Sequence, residues 1–458
     1  MRIDCLVAEI GSTTTVVNAF DGIHTSKPTF VGQGFAPTTV LLGDVNLGLN
    51  SAIEDLKSNL KISHLEIDET FACSSAAGGL KMSVHGLVHD MTVKAAKEAA
   101  LGAGANLHLV TSGILSDFDL KKIQSLHLNI ILIAGGVDYG ESKTALENAK
   151  KIAGLNLGIP IIYAGNIQNQ EEIQSIFGLS GQGPLLSIAP NVYPRIDKLE
   201  VTETRKIIQR VFEENITKAP GMEKVRSMIQ GPIIPVPGAV MRAASMLYQD
   251  IGDLVCIDIG GATTDVHSVT DGSEEVRRKL IAPEPFEKRT VEGDLGLYVN
   301  KDSLIEAVGP ERLKKELAIT EEAFKALLAH YEVIPNAKQL PLTERLAYHA
   351  LSLAMKRHTG HFMNVYGTNG MTKLAEGKDL TNVKYLIGTG GALTRLPNRL
   401  AIINEYLMES DELSLKPTRS TITLIDNDYI MATLGVLSLK YPEAAMTLLK
   451  ASLGIEVS

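Results

Sequence analysis

One segment of this chain occurs twice. Residues 4–22, DCLVAEIGSTTTVVNAFDG, return as residues 253–272, DLVCIDIGGATTDVHSVTDG. Each copy has an apolar strand, an acidic residue, a glycine turn with threonines, a second apolar strand and an Asp-Gly pair typical of hairpins. Chance similarity of two hairpins is the alternative, but the acid, the glycine and the threonine pair keep fixed offsets. The sequence therefore predicts a duplicated fold with two related halves.

The two hairpin turns carry residues suited to binding a polyphosphate. Glycine and hydroxyl residues after a strand present backbone N–H groups in a concave turn, which suits an anionic phosphate chain. The predicted phosphate-binding residues are Gly11, Ser12, Thr13 and Thr14 in the first turn and Gly260, Gly261, Ala262, Thr263 and Thr264 in the second. Because the acids Glu9 and Asp258 beside these turns would repel phosphate, we expect them to hold Mg²⁺, largely through water.

The rest of the sequence indicates the domain organisation. A third glycine turn, YLIGTGGALTRLP at 385–397, ends a strand before a helix and contains Gly388, Gly390 and Gly391. Strand-like and helix-like segments alternate at about 106–200, which indicates an inserted α/β subdomain with a parallel sheet. The predicted organisation is an N-terminal lobe at 1–240 that contains this insertion, and a C-terminal lobe at 241–458 with a helical subdomain at about 301–370.

Composition disfavours several classes of protein. The chain has 458 residues, with 44 Lys+Arg against 53 Asp+Glu and a pI of about 5.7, so no basic surface for nucleic acid is expected. Three scattered cysteines, Cys5, Cys73 and Cys256, favour a reducing cytoplasm over a disulfide framework. No apolar run reaches the roughly 18 residues that span a bilayer, and Asp4 and Glu9 interrupt any signal peptide. We therefore expect no membrane association.

Together, the three glycine turns resemble the ASKHA superfamily of acetate and sugar kinases, Hsp70-type chaperones and actin. Residues 5–20 are similar to its first phosphate motif, 254–269 to its second and 385–397 to its adenosine motif. The resemblance implies a duplicated, two-lobe, ribonuclease H-like α/β fold that binds ATP and Mg²⁺ in a cleft. It also implies catalytic roles for Asp258, which orients metal-bound water, and Asp265, which helps to position the attacking water. Glu9 departs from the aspartate that is usual in the first motif.

A narrower resemblance covers most of the chain. It is to the GlmL/MutL family of methylaspartate mutase accessory proteins, which is distinct from mismatch-repair MutL. The similar segments are EIGSTTTVVNAF, SSAAGGLKMSVHGLV at 74–88, ILIAGGVDYGE at 131–141, KRTVEGDLG at 288–296 and IGTGGALT at 387–394. The resemblance implies a chaperone-like ATPase whose partners are the subunits of an adenosylcobalamin-dependent carbon-skeleton mutase, glutamate mutase or a related aminomutase. It would reactivate that enzyme by ATP-driven release of damaged cobalamin.

Two other functions suit the same fold. One is a small-molecule kinase, and the other is a nucleotide-switched, actin-like binding module. The chain has no D-x-H-x-x-G cobalamin signature, so tight cobalamin binding of its own is not predicted. The insertion near 106–200 is the predicted partner-binding surface, because the general fold lacks it.

Some further polar residues have candidate roles. The histidine pairs that begin at His85 and His358 are spaced as metal ligands can be, but no carboxylate pattern accompanies them, so we interpret them as structural. Glu292 and Asp294, in KRTVEGDLG, are candidates either for the cation or for a partner contact. Asp426 precedes an amphipathic helix and is interpreted as its N-cap.

Overall fold

The computed structural model describes residues 1–11, 13–39, 44–75, 80–216, 222–367 and 370–455. The chain forms two compact units. The first contains Met1–Asp21, Phe30–Ala239 and Ala282–Lys288. The second contains Gly22–Thr29, Val240–Ile281 and Arg289–Ser458.

The elements of the N-terminal half build two sheets. Its strands are β1 Arg2–Ile10, β2 Thr14–Asp21, β3 Thr29–Pro37, β4 Glu66–Ser74, β5 Leu80–Gly86, β6 Ala105–Ser112, β7 Ile130–Ile133, β8 Ile161–Tyr163, β9 Leu186–Ile188 and β10 Ile233–Ile234. Its helices are α1 Val45–Leu60, α2 Lys94–Gly102, α3 Asp117–Ser125, α4 Lys143–Leu155, α5 Gln170–Leu179, α6 Thr202–Ile216 and α7 Met222–Met228.

The first sheet has the strand order β10-β4-β1-β2-β3. Strand β1 is antiparallel to β2 and parallel to β4, and β10 runs parallel to β4. Helix α1 packs closely on this sheet at Gly34 of β3, where a Cβ would lie only 2.1 Å from the Ala52 carbonyl oxygen. The glycine allows this close approach because it has no Cβ. The proline-rich segment at 231–240 supplies the edge strand β10, since Ile233 and Ile234 are apolar enough to be buried beside β4.

The second sheet of this unit is parallel in every pair and has the order β6-β5-β7-β8-β9. Counted along the chain, this is the second-first-third-fourth-fifth order of flavodoxin-like sheets. It begins at Leu80, before the segment predicted at about 106–200. Strand β5, LKMSVHG, was not predicted, because polar residues interrupt its apolar pattern. His85 is nevertheless fully buried there, with hydrogen bonds to the hydroxyls of Ser83 and Thr111.

The C-terminal half supplies the remaining elements. Its strands are β11 Leu254–Ile259, β12 Thr264–Val269, β13 Glu287–Glu292, β14 His361–Gly367, β15 Gly370–Glu376, β16 Tyr385–Thr389 and β17 Ile422–Ile425. Its helices are α8 Val236–Ile251, α9 Glu274–Arg277, α10 Lys301–Val308, α11 Pro310–Leu317, α12 Glu321–Ala329, α13 Leu340–His358, α14 Gly390–Arg395, α15 Arg399–Met408, α16 Met431–Leu437 and α17 Pro442–Ser452.

The main sheet of this half repeats the topology of the first sheet. Its order is β13-β12-β11-β16-β17. Strand β11 is antiparallel to β12 and parallel to β16, which is parallel to β17. A central strand with an antiparallel hairpin partner on one side and two parallel strands on the other therefore occurs twice. The duplicated α/β fold with an additional inserted α/β sheet, predicted from the sequence, is confirmed.

Four helices, α10 to α13, follow in the region where a helical subdomain was predicted. They bury Leu304, Leu313, Phe324 and Leu346 in the core of the second unit. The helices end at His358, and the antiparallel strands β14 and β15 follow at His361–Gly367 and Gly370–Glu376. Among the described residues no helix is both long and apolar enough to cross a membrane.

Candidate functional site

The two repeated hairpins have turns that are closed by the same hydrogen bond. In the first, the Gly11 N–H donates to the Thr14 carbonyl oxygen at 3.0 Å. In the second, the Gly260 N–H donates to the Thr263 carbonyl oxygen at 2.9 Å. The strands also close in the same register, with Ile10 opposite Thr15 and Ile259 opposite Thr264. The sequence repeat is therefore a repeat of local structure. Ser12 lies outside the described residues, as do residues 76–79 of the segment at 74–88.

The carbonyl groups of the second turn are held from one side by residues 297–300. The Gly260 oxygen accepts from the Leu297 N–H at 3.1 Å, and the Gly261 oxygen accepts from the N–H groups of the next two residues at 2.8 Å. The Ala262 oxygen accepts from the Asn300 side-chain amide at 2.7 Å. In a trans peptide the N–H points opposite to the C=O. The N–H groups of residues 261, 262 and 263 therefore point away from this support.

Close packing keeps the supporting segment in place. A Cβ at Gly296 would lie 2.3 Å from the Ala262 carbonyl carbon and oxygen, so only glycine fits there. Thr264 was predicted to bind phosphate, but its buried hydroxyl donates to the Leu295 carbonyl oxygen at 2.8 Å and so holds the same segment. In the first turn Thr38 has the comparable role, donating from its N–H to the Thr13 oxygen and from its hydroxyl to the Gly11 oxygen.

The acidic residues of the two copies differ in one important respect. In the second hairpin Asp258 lies directly opposite Asp265. In the first, Glu9 lies opposite Val16, so the copy has no second acid at this place. Any chemistry that needs two acids directly opposite each other in the hairpin is therefore confined to the second unit.

Asp265 is paired with a buried arginine. The Arg289 guanidinium donates to Oδ1 of Asp265 at 3.0 Å from Nε and 2.6 Å from a terminal nitrogen. The Thr263 hydroxyl donates to Oδ2 at 3.0 Å. Arg289 is only 1% exposed, so the pair is shielded from water. Two strand positions later, burial and the Arg289 charge lower the pKa of His267 well below its usual value, and this imidazole stays neutral.

The third glycine turn adjoins Asp258. Gly390 has φ +81°, and a Cβ there would lie 2.2 Å from Oδ1 of Asp258. A Cβ at Gly391 would meet nothing within 4 Å. Gly388 instead faces the core, where a Cβ would lie 2.9 Å from Ile403. The structure thus brings Gly390 and Asp258 together, and it gives Gly388 a packing reason to be glycine.

The KRTVEGDLG segment is held by the end of α13. Arg357 donates to Glu292 at 2.6 Å and to Asp294 at 2.6 Å. His358 is buried and bonds to the hydroxyls of Ser268 and Thr290. Both candidate acids therefore have a structural partner. His85 and His358 are buried and bonded as the structural interpretation predicts, whereas the second histidine of each pair, His89 or His361, is exposed.

Asp426 ties three elements of the second unit together. Its carboxylate is fully buried and accepts from the N–H groups of Ile430 and Met431 at the start of α16. It also accepts from the hydroxyls of Thr389 and Ser452. Burial raises the pKa of this carboxyl, although the four hydrogen bonds oppose the shift. The N-cap residue of α16 is Ile430 and not Asp426 as predicted, although the Asp426 carboxylate accepts from N–H groups at that helix start.

The candidate metal ligands Glu9 and Asp258 belong to different units. Glu9 is 6% exposed on β1, and Asp258 is half-buried at the end of β11. Within the described part of the chain, no three His, Cys, Asp or Glu side chains are grouped as metal ligands. A hard cation at Asp258 would therefore take most of its oxygen ligands from phosphate and water, which is common for Mg²⁺.

Comparison with known proteins assigns the family. The family model described as MutL protein matches residues 5–453. A curated relative, Protein MutL of Clostridium tetanomorphum, is 36% identical over 463 residues, covering 97% of this chain and 98% of its own. The chain belongs to the MutL protein family. The resemblance noted in the sequence is thereby confirmed.

Similarity of this MutL-family chain to solved structures is weak. Nucleotide-free acetone carboxylase aligns with a TM-score of 0.40 and 12% identity, covering 95% of this chain and 70% of that one. Nucleotide-free diol dehydratase-reactivating factor aligns with a TM-score of 0.35 and 10% identity, covering 96% and 99%. Such scores do not establish a common fold, and the family assignment depends on the sequence matches.

Two groups that support the second turn were not predicted from the sequence. Arg289 was visible in KRTVEGDLG, but nothing in its spacing links it to Asp265, which is 24 residues away. The supporting residues 297–300, LYVN, resemble an ordinary strand. Only Gly296, just before them, signals a close backbone approach.

Proposed function

We propose that this protein is an ATP-hydrolysing, chaperone-like accessory factor of an adenosylcobalamin-dependent carbon-skeleton mutase, glutamate mutase or a related aminomutase. In this proposal it binds ATP and Mg²⁺ and uses hydrolysis to release damaged cobalamin. The observation that carries the proposal is the second turn, where three successive N–H groups are turned to one side by the support at residues 297–300. Membership of the MutL family supplies the class of partner.

The residues of the turn suit a phosphate chain. N–H groups fixed in direction before a ligand arrives bind an anion without reorganisation. The Thr263 hydroxyl donates its one proton to Asp265 in this structure, and in this proposal it turns to the phosphate when ATP binds. We assign phosphate binding to Gly260, Gly261, Ala262 and Thr263 and, from the repeat, to Gly11, Thr13 and Thr14. Gly391, where a side chain would meet open space, is assigned to the nucleotide together with Gly390.

The acidic residues beside the two turns are of a kind suited to ATP hydrolysis. Asp258 offers carboxylate oxygens for a cation or for the water on it, and Glu9 is proposed for the same role in the first unit. Bound Mg²⁺ would neutralise charge on the phosphates. Asp265 has one hydrogen-bonding partner group on each oxygen, and a carboxylate oxygen can accept more than one bond. We assign it the role of orienting the attacking water, with Arg289 fixing its direction.

The coupling to a partner follows from differential affinity. A ligand changes an equilibrium only by as much as its affinity differs between two states. If the ATP-bound and ADP-bound forms bind the mutase differently, hydrolysis supplies the work of ejecting a tightly held cofactor. The three buried and unbridged cysteines support a reducing, cytoplasmic setting for this activity.

The proposal is tested with a mutase inactivated by a cobalamin that lacks its adenosyl group. The protein, ATP, Mg²⁺ and fresh adenosylcobalamin are added, and recovery of mutase activity is followed together with phosphate release. We expect recovery that requires hydrolysable ATP. Phosphate release without any phosphorylated metabolite excludes the kinase alternative. Failure to restore any candidate mutase, with ATP hydrolysed normally, would contradict the partner assignment and leave the ATPase assignment standing.

A further inference from the structure

One edge of the inserted parallel sheet carries a group of exposed apolar side chains. Between residues 80 and 200 seven large apolar residues are exposed, and six of them follow the carboxyl ends of β5 to β9. These six are Val88, Ile114, Phe118, Tyr139, Ile167 and Ile196. The carboxyl ends of parallel strands meet at one edge of a sheet. Single exposed apolar residues are ordinary, but a group on one edge marks an interaction surface.

We name this surface the docking edge and define it as the loops 87–92, 113–119, 134–142, 164–169 and 189–197. Its charge is strongly biased. The loops contain six carboxylates, at residues 90, 117, 119, 138, 141 and 197, against one arginine, Arg195. The loops 126–129 and 156–160, which lead into strands at the opposite edge, contain no Asp or Glu. Complementary charge across an interface steers association and selects the partner, so the docking edge fits a basic partner.

Buried amides brace the loops of the docking edge against one another. The Asn166 side-chain oxygen accepts from the Tyr139 N–H at 3.1 Å. The Asn191 amide donates to the Gly136 carbonyl oxygen at 3.0 Å and to the Asp138 carboxylate at 2.9 Å. Because these bonds join the loops after β7, β8 and β9, the surface is formed before a partner arrives. A preorganised surface binds with a smaller loss of conformational entropy.

One aromatic residue of the docking edge has an unusual backbone conformation. Tyr139 has φ 63°, in the left-handed region that aromatic residues rarely adopt. At Tyr139 the result is a ring that is 76% exposed. Phe118, at the start of α3, is 73% exposed. Exposed aromatic residues on a rigid frame are the usual anchors of protein interfaces.

We propose that the docking edge binds the client mutase, at a surface of that enzyme where basic residues surround an apolar centre. The inference depends on the proposed function for the identity of the client, and it specifies which part of the chain makes contact. The nucleotide-binding turns are not part of this surface. Changes at the docking edge are therefore expected to separate client binding from basal ATP hydrolysis.

The first test is a double variant, Phe118→Ser with Tyr139→Ser. We expect its affinity for the purified mutase to fall at least about 30-fold, with basal ATP hydrolysis and thermal unfolding close to the parent. The matched control is Leu179→Ser, which removes an even more exposed side chain, 89% exposed, from the end of α5 at the opposite edge of the same sheet. It should bind the mutase as the parent does. Unchanged mutase affinity in the double variant would overturn the proposal.

The second test separates this inference from the proposed function. A photoreactive benzoylphenylalanine replaces Tyr139, and the chain is irradiated with the mutase. Crosslinks to basic peptides of the mutase support the proposal, whereas crosslinks only to a second copy of this chain overturn it. If the parent reactivates the mutase and the double variant does so equally well, the docking edge is excluded while the proposed function stands. If the parent neither binds nor reactivates the mutase, both are excluded.

The charge bias gives a third readout. Asp117→Lys is expected to weaken mutase binding by about tenfold at low salt, and the difference from the parent should shrink as salt rises, since exposed charges are screened. The control is Asp302→Lys, which changes an acid that is equally exposed but lies on α10 in the other unit. Equal effects of the two variants would contradict a charge-selective docking edge.

Discussion

At the scale of single residues, the group of the second hairpin proposed for catalysis also contributes to stability. The carboxylate assigned to the attacking water, Asp265, is also the counterion of the buried Arg289. Removing one member of a buried ion pair leaves the other charge uncompensated and is strongly destabilising. A loss of activity in a variant of Asp265 therefore has two possible origins, and an experiment must separate them.

Asp265→Asn is the variant that separates these origins. It keeps the shape of the side chain and removes its charge. We expect ATP hydrolysis to fall by about 100-fold or more, ATP affinity to change only a few-fold, and the free energy of unfolding to drop by about 3 kcal/mol. Steady-state hydrolysis, calorimetry and urea unfolding measure the three quantities. Asp265→Ala should also bind ATP and fail to hydrolyse it.

The control for this variant is another buried carboxylate of the same unit. Asp379 is 4% exposed and accepts hydrogen bonds from Ser273 and Thr381. Asp379→Asn should lower stability and leave hydrolysis by the folded protein intact. Hydrolysis at the parental rate in Asp265→Asn would remove Asp265 from the mechanism.

The glycines of the third turn give a second prediction at this scale. Gly390→Ala places a Cβ against Asp258 and forces a left-handed backbone on an alanine, which costs about 1–2 kcal/mol before any clash. We expect it to lower both stability and ATP affinity, as should Gly390→Val. Gly391→Ala meets open space, so its fold should be unchanged while the added methyl group weakens ATP binding. Calorimetry and thermal unfolding of the two alanine variants distinguish the effects.

At the scale of elements, the sequence predicts most where a pattern is local. The two hairpins were recognisable because strand, turn and strand adjoin in the chain, and their registers agree with the repeat. Strand β5 was missed, because a buried histidine and serine interrupt its apolar pattern and only tertiary hydrogen bonds compensate them. The pairing of Arg289 with Asp265 was missed for a related reason, since it joins residues on different strands.

The burial of His85 in β5 predicts a pH dependence. Burial lowers the pKa of this imidazole to about 4, despite the opposing charge of Asp119. Because the unfolded chain takes up the proton near pH 6.5 and the folded chain does not, stability falls as pH drops from about 7 toward 4. By pH 5 the loss is about 2 kcal/mol.

Urea unfolding of the full chain at pH 8 and pH 5 measures how the free energy of unfolding depends on pH. Replacing His85 by Gln keeps a polar side chain for Ser83 and Thr111 but removes the titrating group. The variant is expected to be less stable at pH 8, and its loss of stability between pH 8 and pH 5 should be about 2 kcal/mol smaller than that of the parent. An identical loss in both proteins rules out His85 as the cause.

At the scale of the whole molecule, duplication raises the question of how many nucleotides one chain binds. Both units contain the same turn, closed by the same hydrogen bond, so two independent sites are conceivable. The resemblance to ASKHA proteins implies a single nucleotide per chain. An acid directly opposite the first-strand acid occurs only in the second copy, which favours one reaction centre per chain.

Stoichiometry and paired variants test this prediction. Thr13→Val and Thr263→Val each remove one turn hydroxyl while keeping the shape of the side chain. A hydrogen bond to a charged group contributes about 1.5–3 kcal/mol, so each change should weaken ATP binding by about 10- to 100-fold. Calorimetry should give one ATP per chain for the parent, and each variant should shift the whole binding curve. The control is Thr25→Val, in an exposed turn of the second unit. Two ATP molecules per chain, with each variant weakening only one of them, would show that the repeated turns work as separate sites.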